Sequence, residues 1–286
     1  MPPGTGSVDH RGRPVRDRVL AAAAALTAVL VLAGSGVTSA GWTDATSIPG
    51  TSMSSGRLDL RVDGQDAVAS YAPLDLPRLV PGQTAATVLT VGNQGNVALG
   101  WTATTSGTNA GNGLLAALRL LVTDATSTDG TSCGGTALPG SAATAGGTLV
   151  GTARTLAAGA SEQVCVQVGL PAGAASALAG SASDLTIQVQ ATTGSWSDTA
   201  DVGGVNLAAV PLTPPTVTCS GVLGVNLTMT WTEVPGAKEY RVFNALGTLI
   251  GTVPAGGLLQ ATVGALVGVT VKTVFGSEWV SAGAGC

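Results

Sequence analysis

The chain is poor in charge, in aromatic rings and above all in histidine. Of its 286 residues, 10% are charged and 3% aromatic, and the one histidine is His10. An average globular protein carries about 25% charged residues. A net charge of -4, with four of the twelve basic residues (Arg11, Arg13, Arg16, Arg18) at the extreme N-terminus, leaves no phosphate-neutralising surface and excludes a nucleic-acid partner. His10 precedes an apolar run that reads as an export signal, so removal of that signal leaves no imidazole for catalysis or metal binding. Neither an HExxH nor a CxxC pattern occurs. What the chain does have is glycine, 42 residues of it, among many Ser and Thr. Glycine and β-branched residues lower helix propensity while turns accept glycine readily. The composition therefore predicts an all-β protein.

Residues 11–18 hold four Arg and one Asp, residues 19–33 are apolar except for Thr27, and Thr38-Ser39-Ala40 supplies small residues at the positions a signal peptidase reads. Fifteen apolar residues fall short of the roughly 20 needed to span a bilayer, and Gly34-Ser35-Gly36 follows at once. Residues 1–40 thus read as a secretory signal cut between Ala40 and Gly41, with signal peptidase as the partner during export and membrane contact only through the uncleaved signal. Four cysteines, Cys133, Cys165, Cys219 and Cys286, fit disulfides in an exported chain. Three pairings are arithmetically open. Because disulfides usually stay within a domain, the cluster Pro211-Leu212-Thr213-Pro214-Pro215, read as a stiff linker, selects Cys133 with Cys165 and Cys219 with Cys286.

The stretch 41–210 is rhythmic. Leu58, Leu60 and Val62 alternate with Arg57, Asp59, Arg61 and Asp63 ahead of Gly64; Val164, Val166 and Val168 share a face, as do Leu185, Ile187 and Val189. Leu89 and Val91, then Val97, Leu99 and Trp101, flank Gly92–Gly95, which predicts a hairpin or similarly tight reversal. Only 112–121 and 172–180 have the pattern of short helices, the first able to run straight into a strand. The architecture expected is a jelly-roll-like antiparallel sandwich.

The order of apolar signal, Thr-Ser-Ala, Gly41-Trp42-Thr43-Asp44, a Ser/Gly-rich spacer, Gly56-Arg57-Leu58-Asp59-Leu60, Pro81-Gly82 and Asn93-Gln94-Gly95-Asn96 resembles the TasA/CalY family of proteins with SipW-dependent signal peptides. The resemblance covers roughly 15–205 and is most specific from the signal to Leu60. It implies a secreted jelly-roll domain used as a cell-surface or biofilm-matrix fibre subunit. The camelysin-type metalloprotease label borne by some relatives finds no support, since the mature chain would hold no histidine and no HExxH. Residues 216–286 are similar to a fibronectin type III domain. Leu227, Met229 and Trp231 stand inward, and Tyr240-Arg241-Val242-Phe243 follows the turn at Val234-Pro235-Gly236, like that family's Trp and Tyr on successive strands. Val267 stands where many members place a second Tyr, which puts the tyrosine corner in doubt. A Cys219–Cys286 bond would close a loop of about 67 residues, contributing up to about 4 kcal/mol by the chain-entropy model.

Chemical motifs yield little. Gly130-Thr131-Ser132-Cys133-Gly134 matches the letters of a nucleophile elbow without a histidine to serve it. Asp124 with Asp129, and Asp63 with Asp66, lack calcium-loop spacing and read as solvated or turn-capping residues. Asn226-Leu227-Thr228 is a sequon on a predicted strand. Trp101, Trp196 and Trp231 read as core, while Trp42 and Trp279 are candidates for exposure. No cofactor, no metal and no enzymatic activity are expected, since Asp198 and Asp201 would have to act alone. The first expectation is a secreted structural protein of the cell surface, assembling by strand donation from the segment after the cleavage site, with Trp42, Ile48 and Met53 as its anchors. The alternative is an adhesive or carbohydrate-binding module, with surface proteins or glycans as partners.

Overall fold

Ten strands build the first half of the computed structural model, which describes residues 55–286 except 110, 112, 142, 143, 223, 224 and 265–267. The signal, its cleavage site at Ala40 and Gly41, the segment bearing Trp42, Ile48 and Met53, and Val267 lie outside the described residues. The strands are β1 (Leu60–Val62), β2 (Ala67–Val68), β3 (Leu76–Leu79), β4 (Thr84–Asn93), β5 (Leu99–Gly107), β6 (Arg119–Thr123), β7 (Thr148–Leu156), β8 (Ser161–Gly169), β9 (Ala182–Thr193) and β10 (Trp196–Ala209). They form two sheets, ordered β1-β4-β8-β6 and β2-β10-β9-β5-β7, with β3 also on β10. All pairings are antiparallel except those of β2 and β3, which run parallel to β10. The period of two explains the packing: on β9, Leu185, Ile187, Val189 and Ala191 are buried between Thr186, Gln188, Gln190 and Thr192. On β10 the register shifts between Val202 and Val205, which moves the buried set from Ala200 and Val202 to Val205, Leu207 and Ala209. Fully burying one Leu or Val of this core contributes about 1.5–3 kcal/mol. The two helix patterns shrink to one α-turn, α1 (Leu114–Ala117), which leads into β6, and one 3₁₀ turn at Ser176–Leu178.

The expected hairpin at Gly92–Gly95 is instead a crossing between sheets, because β4 pairs with β1 and β8 while β5 pairs with β7 and β9. A second crossing, between β7 and β8, is held by side chains. Glu162 of β8 accepts Trp101 Nε1 (3.1 Å) and Arg154 Nε (2.8 Å), so one carboxylate joins strands of both sheets. The same bonding raises the Arg154 pKa above its ordinary value. Trp101 is only 1% exposed, so Glu162→Ala strands a buried indole N–H and should cost about 1–3 kcal/mol. Glu162→Gln, which keeps an acceptor, should cost less in the same urea titration; equal losses would assign the effect to packing.

The second half is a smaller sandwich of the fibronectin type III-like kind. Its strands are β11 (Val217–Val222), β12 (Asn226–Trp231), β13 (Glu239–Phe243), β14 (Leu249–Pro254), β15 (Gln260–Val263), β16 (Thr270–Phe275), β17 (Trp279–Val280) and β18 (Ala284–Gly285). Sheet β11-β12-β15 faces sheet β14-β13-β16-β17, and β18 also pairs with β16. Leu227, Met229 and Trp231 point inward, and the Trp231 ring lies 5.8 Å from that of Tyr240. Tyr240 is fully buried and its hydroxyl accepts the Val234 N–H at 2.6 Å; burial, the largest cause, pushes its pKa up.

Cys133 is bonded to Cys165 and Cys219 to Cys286, with Cα–Cα distances of 5.7 and 6.1 Å, and the second bond links the two sheets of the smaller sandwich. Such bonds suit an oxidising, extracellular environment. Among the described residues, no helix is long and apolar enough to cross a membrane.

The sandwiches share one continuous core within the compact unit Gly56–Cys286. Val210 is tied to the first by its N–H on Leu79 O (3.1 Å) and its C=O on Gly180 N (3.1 Å). From the second, the turn at Gly276–Glu278 docks on loops of the first. Trp279, 1% exposed, donates its indole N–H to Ala174 O at 2.8 Å, and Ser277 Oγ donates to Ala172 O at 2.7 Å. Gly276 adopts φ +57°, and a Cβ there would stand 2.6 Å from Pro81 O. Only glycine permits that approach.

Candidate functional site

Two of the motifs that carry the family resemblance, Gly56–Leu60 and Asn93–Asn96, lie more than thirty residues apart in sequence and meet at the end of β4. Asn93 ends β4 and is fully buried. Its Nδ2 group donates to Val97 O (2.8 Å), Ala157 O (3.0 Å) and Leu156 O (3.3 Å), and its Oδ1 accepts Gly95 N (3.0 Å). One amide therefore joins both sheet crossings, and a buried polar group of this kind is stable only because its capacity is filled. Gln94 N donates to Asp59 O (2.7 Å) and Asn96 N to Arg57 O (3.0 Å). In return Arg57 donates its backbone N–H to Asn96 Oδ1 and its guanidinium to Gln94 O at 2.6 Å. A Cβ on Gly95 would lie 2.2 Å from Arg57 O, so only glycine lets the two backbones come this close.

Next to this clamp, Asp198 Oδ2 of β10 accepts Leu60 N at 2.7 Å across the gap between the sheets, and Asp198 Oδ1 accepts Thr199 N at 2.9 Å. Trp196, at the tip of the β9–β10 hairpin, is 51% exposed rather than core, because the buried set of β10 begins only at Ala200, two pleat periods farther along the strand. A Cβ on Gly56 would stand 3.3 Å from its ring. Ion pairs of the half-buried Asp59 with Arg57 and Arg61 (3.5 and 3.1 Å) surround the clamp. The site holds Arg57–Leu60 against the end of β4 and against β10, and presents an exposed indole beside them.

The remaining candidates close loops. Asp129 accepts Thr131 N (2.8 Å) and Ser132 N (2.7 Å), and these bonds hold its carboxyl well below the usual carboxylate range. Ser132 Oγ donates to the same Asp129, while Cys133 N donates to Gln167 Oε1, so the apparent elbow is a loop pinned to β8. Asp124 accepts Thr136 N at 2.6 Å, Asp63 accepts Thr90 N at 2.8 Å, and Asp201 accepts Gln188 Nε2 at 3.0 Å. Among the described residues no group of three or more His, Cys, Asp or Glu is placed to hold a metal. Trp279, a candidate for exposure, is buried in the joint, and Asn226 is exposed at the start of β12. An open depression of about 360 Å³ lies along β7, lined by Pro139, Thr152–Leu156 and Glu162. Sequence reading found the clamp motifs as a resemblance but missed their mutual contact, for which no local signal exists.

No family model and no curated protein matches the chain. Among solved structures it is similar to the PapD-like domain 7 of human CEP192 (12% identity, 59% of this chain and 96% of that one, TM-score 0.26). It is also similar to a two-domain fibronectin type III segment of chicken tenascin (15% identity, 75% and 95%, TM-score 0.25). A third match is the class 5 fimbriae chaperone CfaA (11% identity, 76% and 92%, TM-score 0.23). At such TM-scores none of them bears on activity or partner.

Proposed function

We propose that this chain is a secreted, non-enzymatic structural protein of the cell surface or biofilm matrix, of the TasA/CalY kind, whose subunits associate through the segment 41–53. The observation that carries the reading is the clamp. It fixes Arg57–Leu60 by backbone bonds to Gln94 and Asn96 and by Asp198, directly after the segment that the sequence places behind the cleavage site. Export cleavage after Ala40 would free that segment, and a freed terminus adds readily as a strand to an open sheet edge. Addition to a neighbour is a head-to-tail contact, which does not close and so builds a filament. The disulfides and the docked sandwiches support an extracellular role in which stiffness matters.

The test compares the mature chain beginning at Gly41 with one lacking 41–53. Sedimentation and negative-stain microscopy should show fibres or large oligomers for the former alone. Equal behaviour of the two rejects strand donation. The exposed Trp196 ring, flanked by Ser195 and Ser197, favours a second reading as a carbohydrate-binding module. Glycan-array binding lost in Trp196→Ala would support it.

A further inference from the structure

Sheet edges are normally guarded against pairing with other chains, and the larger edges here show how. β1 is three residues long and gives its Leu60 N–H to Asp198. β6 is covered by the loop that follows it, through Leu138 N on Val122 O (2.8 Å) and Asp124 N on Thr136 O (3.1 Å). β7 shifts register twice and carries Arg154. β14 shifts register at Ile250 and ends in Pro254, which has no N–H to offer. The others are four residues or shorter, except one.

The exception is β11, six residues (Val-Thr-Cys-Ser-Gly-Val) that pair with β12 without a register shift and contain no proline and no charge. Thr232 N donates to Thr216 O at 3.1 Å, which makes Thr216 and Thr232 a hydrogen-bonded pair. Gly221, at φ +106°, departs from the regular strand, but by the two-residue alternation of antiparallel ladders the N–H and C=O groups of Val217 and Cys219 point away from β12. Among the described residues, nothing bonds to them. The electrostatics select the occupant. Residues 216–286 carry three acids and three bases, which cancel, and none lies on β11, β12 or β15, whereas residues 41–210 carry eleven acids and five bases. The smaller sandwich is thus the part of this acidic protein that can approach its own copy without repulsion.

We infer that β11 is a self-association edge, pairing antiparallel with β11 of a second copy about a two-fold axis through Cys219. That register sets Cys219 against the partner subunit's Cys219, where the two residues exchange their backbone hydrogen bonds, and brings Val217 opposite the partner subunit's Gly221. It merges two three-stranded sheets into one. The contact is isologous and therefore closes at two copies, and it is independent of strand donation by 41–53. Thr218, exposed on the outer face, lies opposite the partner subunit's Ser220, which is also exposed.

The register supplies the test, made on the mature chain lacking 41–53 so that strand donation cannot contribute. Analytical ultracentrifugation should show a concentration-dependent monomer–dimer equilibrium. The Thr218→Lys, Ser220→Lys double variant places like charges opposite each other twice and should weaken dimerisation about tenfold or more. Thr218→Lys with Ser220→Glu places opposite charges there and should restore it at low salt. Unchanged circular dichroism and melting temperature in both variants separates lost pairing from lost folding. A strictly monomeric parent, or two double variants with equal dimer affinity, overturns the inference. Failure here with fibres still formed by the full mature chain leaves strand donation standing.

Discussion

Replacing Trp279 with alanine should uncouple the two sandwiches and turn one cooperative unfolding transition into two. The side chain is 1% exposed, belongs to the core cluster that runs through both halves, and hands its indole N–H to Ala174 O. Truncating a buried Trp costs about 3–5 kcal/mol. Here that loss falls on the contact between the halves, beside the Ser277 bond to Ala172 O and the close approach of Gly276 to Pro81. Urea unfolding followed by far-ultraviolet dichroism and by small-angle X-ray scattering would resolve the two steps and the loosening of the joint. Trp279→Phe keeps most of the ring and loses one hydrogen bond, so it should cost about 1 kcal/mol and preserve a single transition. A single transition with an unshifted midpoint in Trp279→Ala would show that the halves were never coupled through this turn.

The second large effect is expected at Asn93. Asn93→Ala takes the amide from Val97 O, Leu156 O and Gly95 N around a fully buried side chain, whereas Ala157 O keeps the Ala160 N–H. The bonds to Leu156 O and Gly95 N are buried, and each buried polar group left unsatisfied costs about 1–3 kcal/mol. Asn93→Asp is a sharper probe. An ionised carboxylate cannot donate to those three carbonyls and is penalised by burial, while the protonated form donates once. Burial and the facing carbonyls raise the folded-state pKa of such an Asp above its unfolded value. The variant should therefore be most stable at acid pH and lose stability as pH rises through that folded pKa. Denaturation midpoints measured across pH, relative to the native chain, report this directly; a difference that does not vary with pH would show that water reaches the site.

Much of the fold was legible locally. The alternation of Leu185, Ile187 and Val189, of Leu227, Met229 and Trp231, and of Leu60 with Val62 needs only the period of two to assign strands and their buried faces. The all-β class follows from a composition that disfavours helices, and the short α1 and 3₁₀ turns sit where apolar runs lacked alternation. Alternation says which way a side chain faces but not which sheet its strand joins. Leu89, Val91, Leu99 and Trp101 keep one rhythm through Gly92–Gly95, yet β4 and β5 part to opposite sheets. At that crossing stands the Asn93 amide, whose partners at Leu156 and Ala157 are 63 and 64 residues away. The exposure of Trp196 and the burial of Trp279 were decided in the same nonlocal way, one by where the core ends and the other by a loop of the neighbouring sandwich. Residue identity and periodicity determined strands, turns and buried faces because those depend on neighbours along the chain. Sheet partners, the clamp at Gly56 and the joint at Trp279 depend on groups brought together only by folding, and tertiary structure alone decided them.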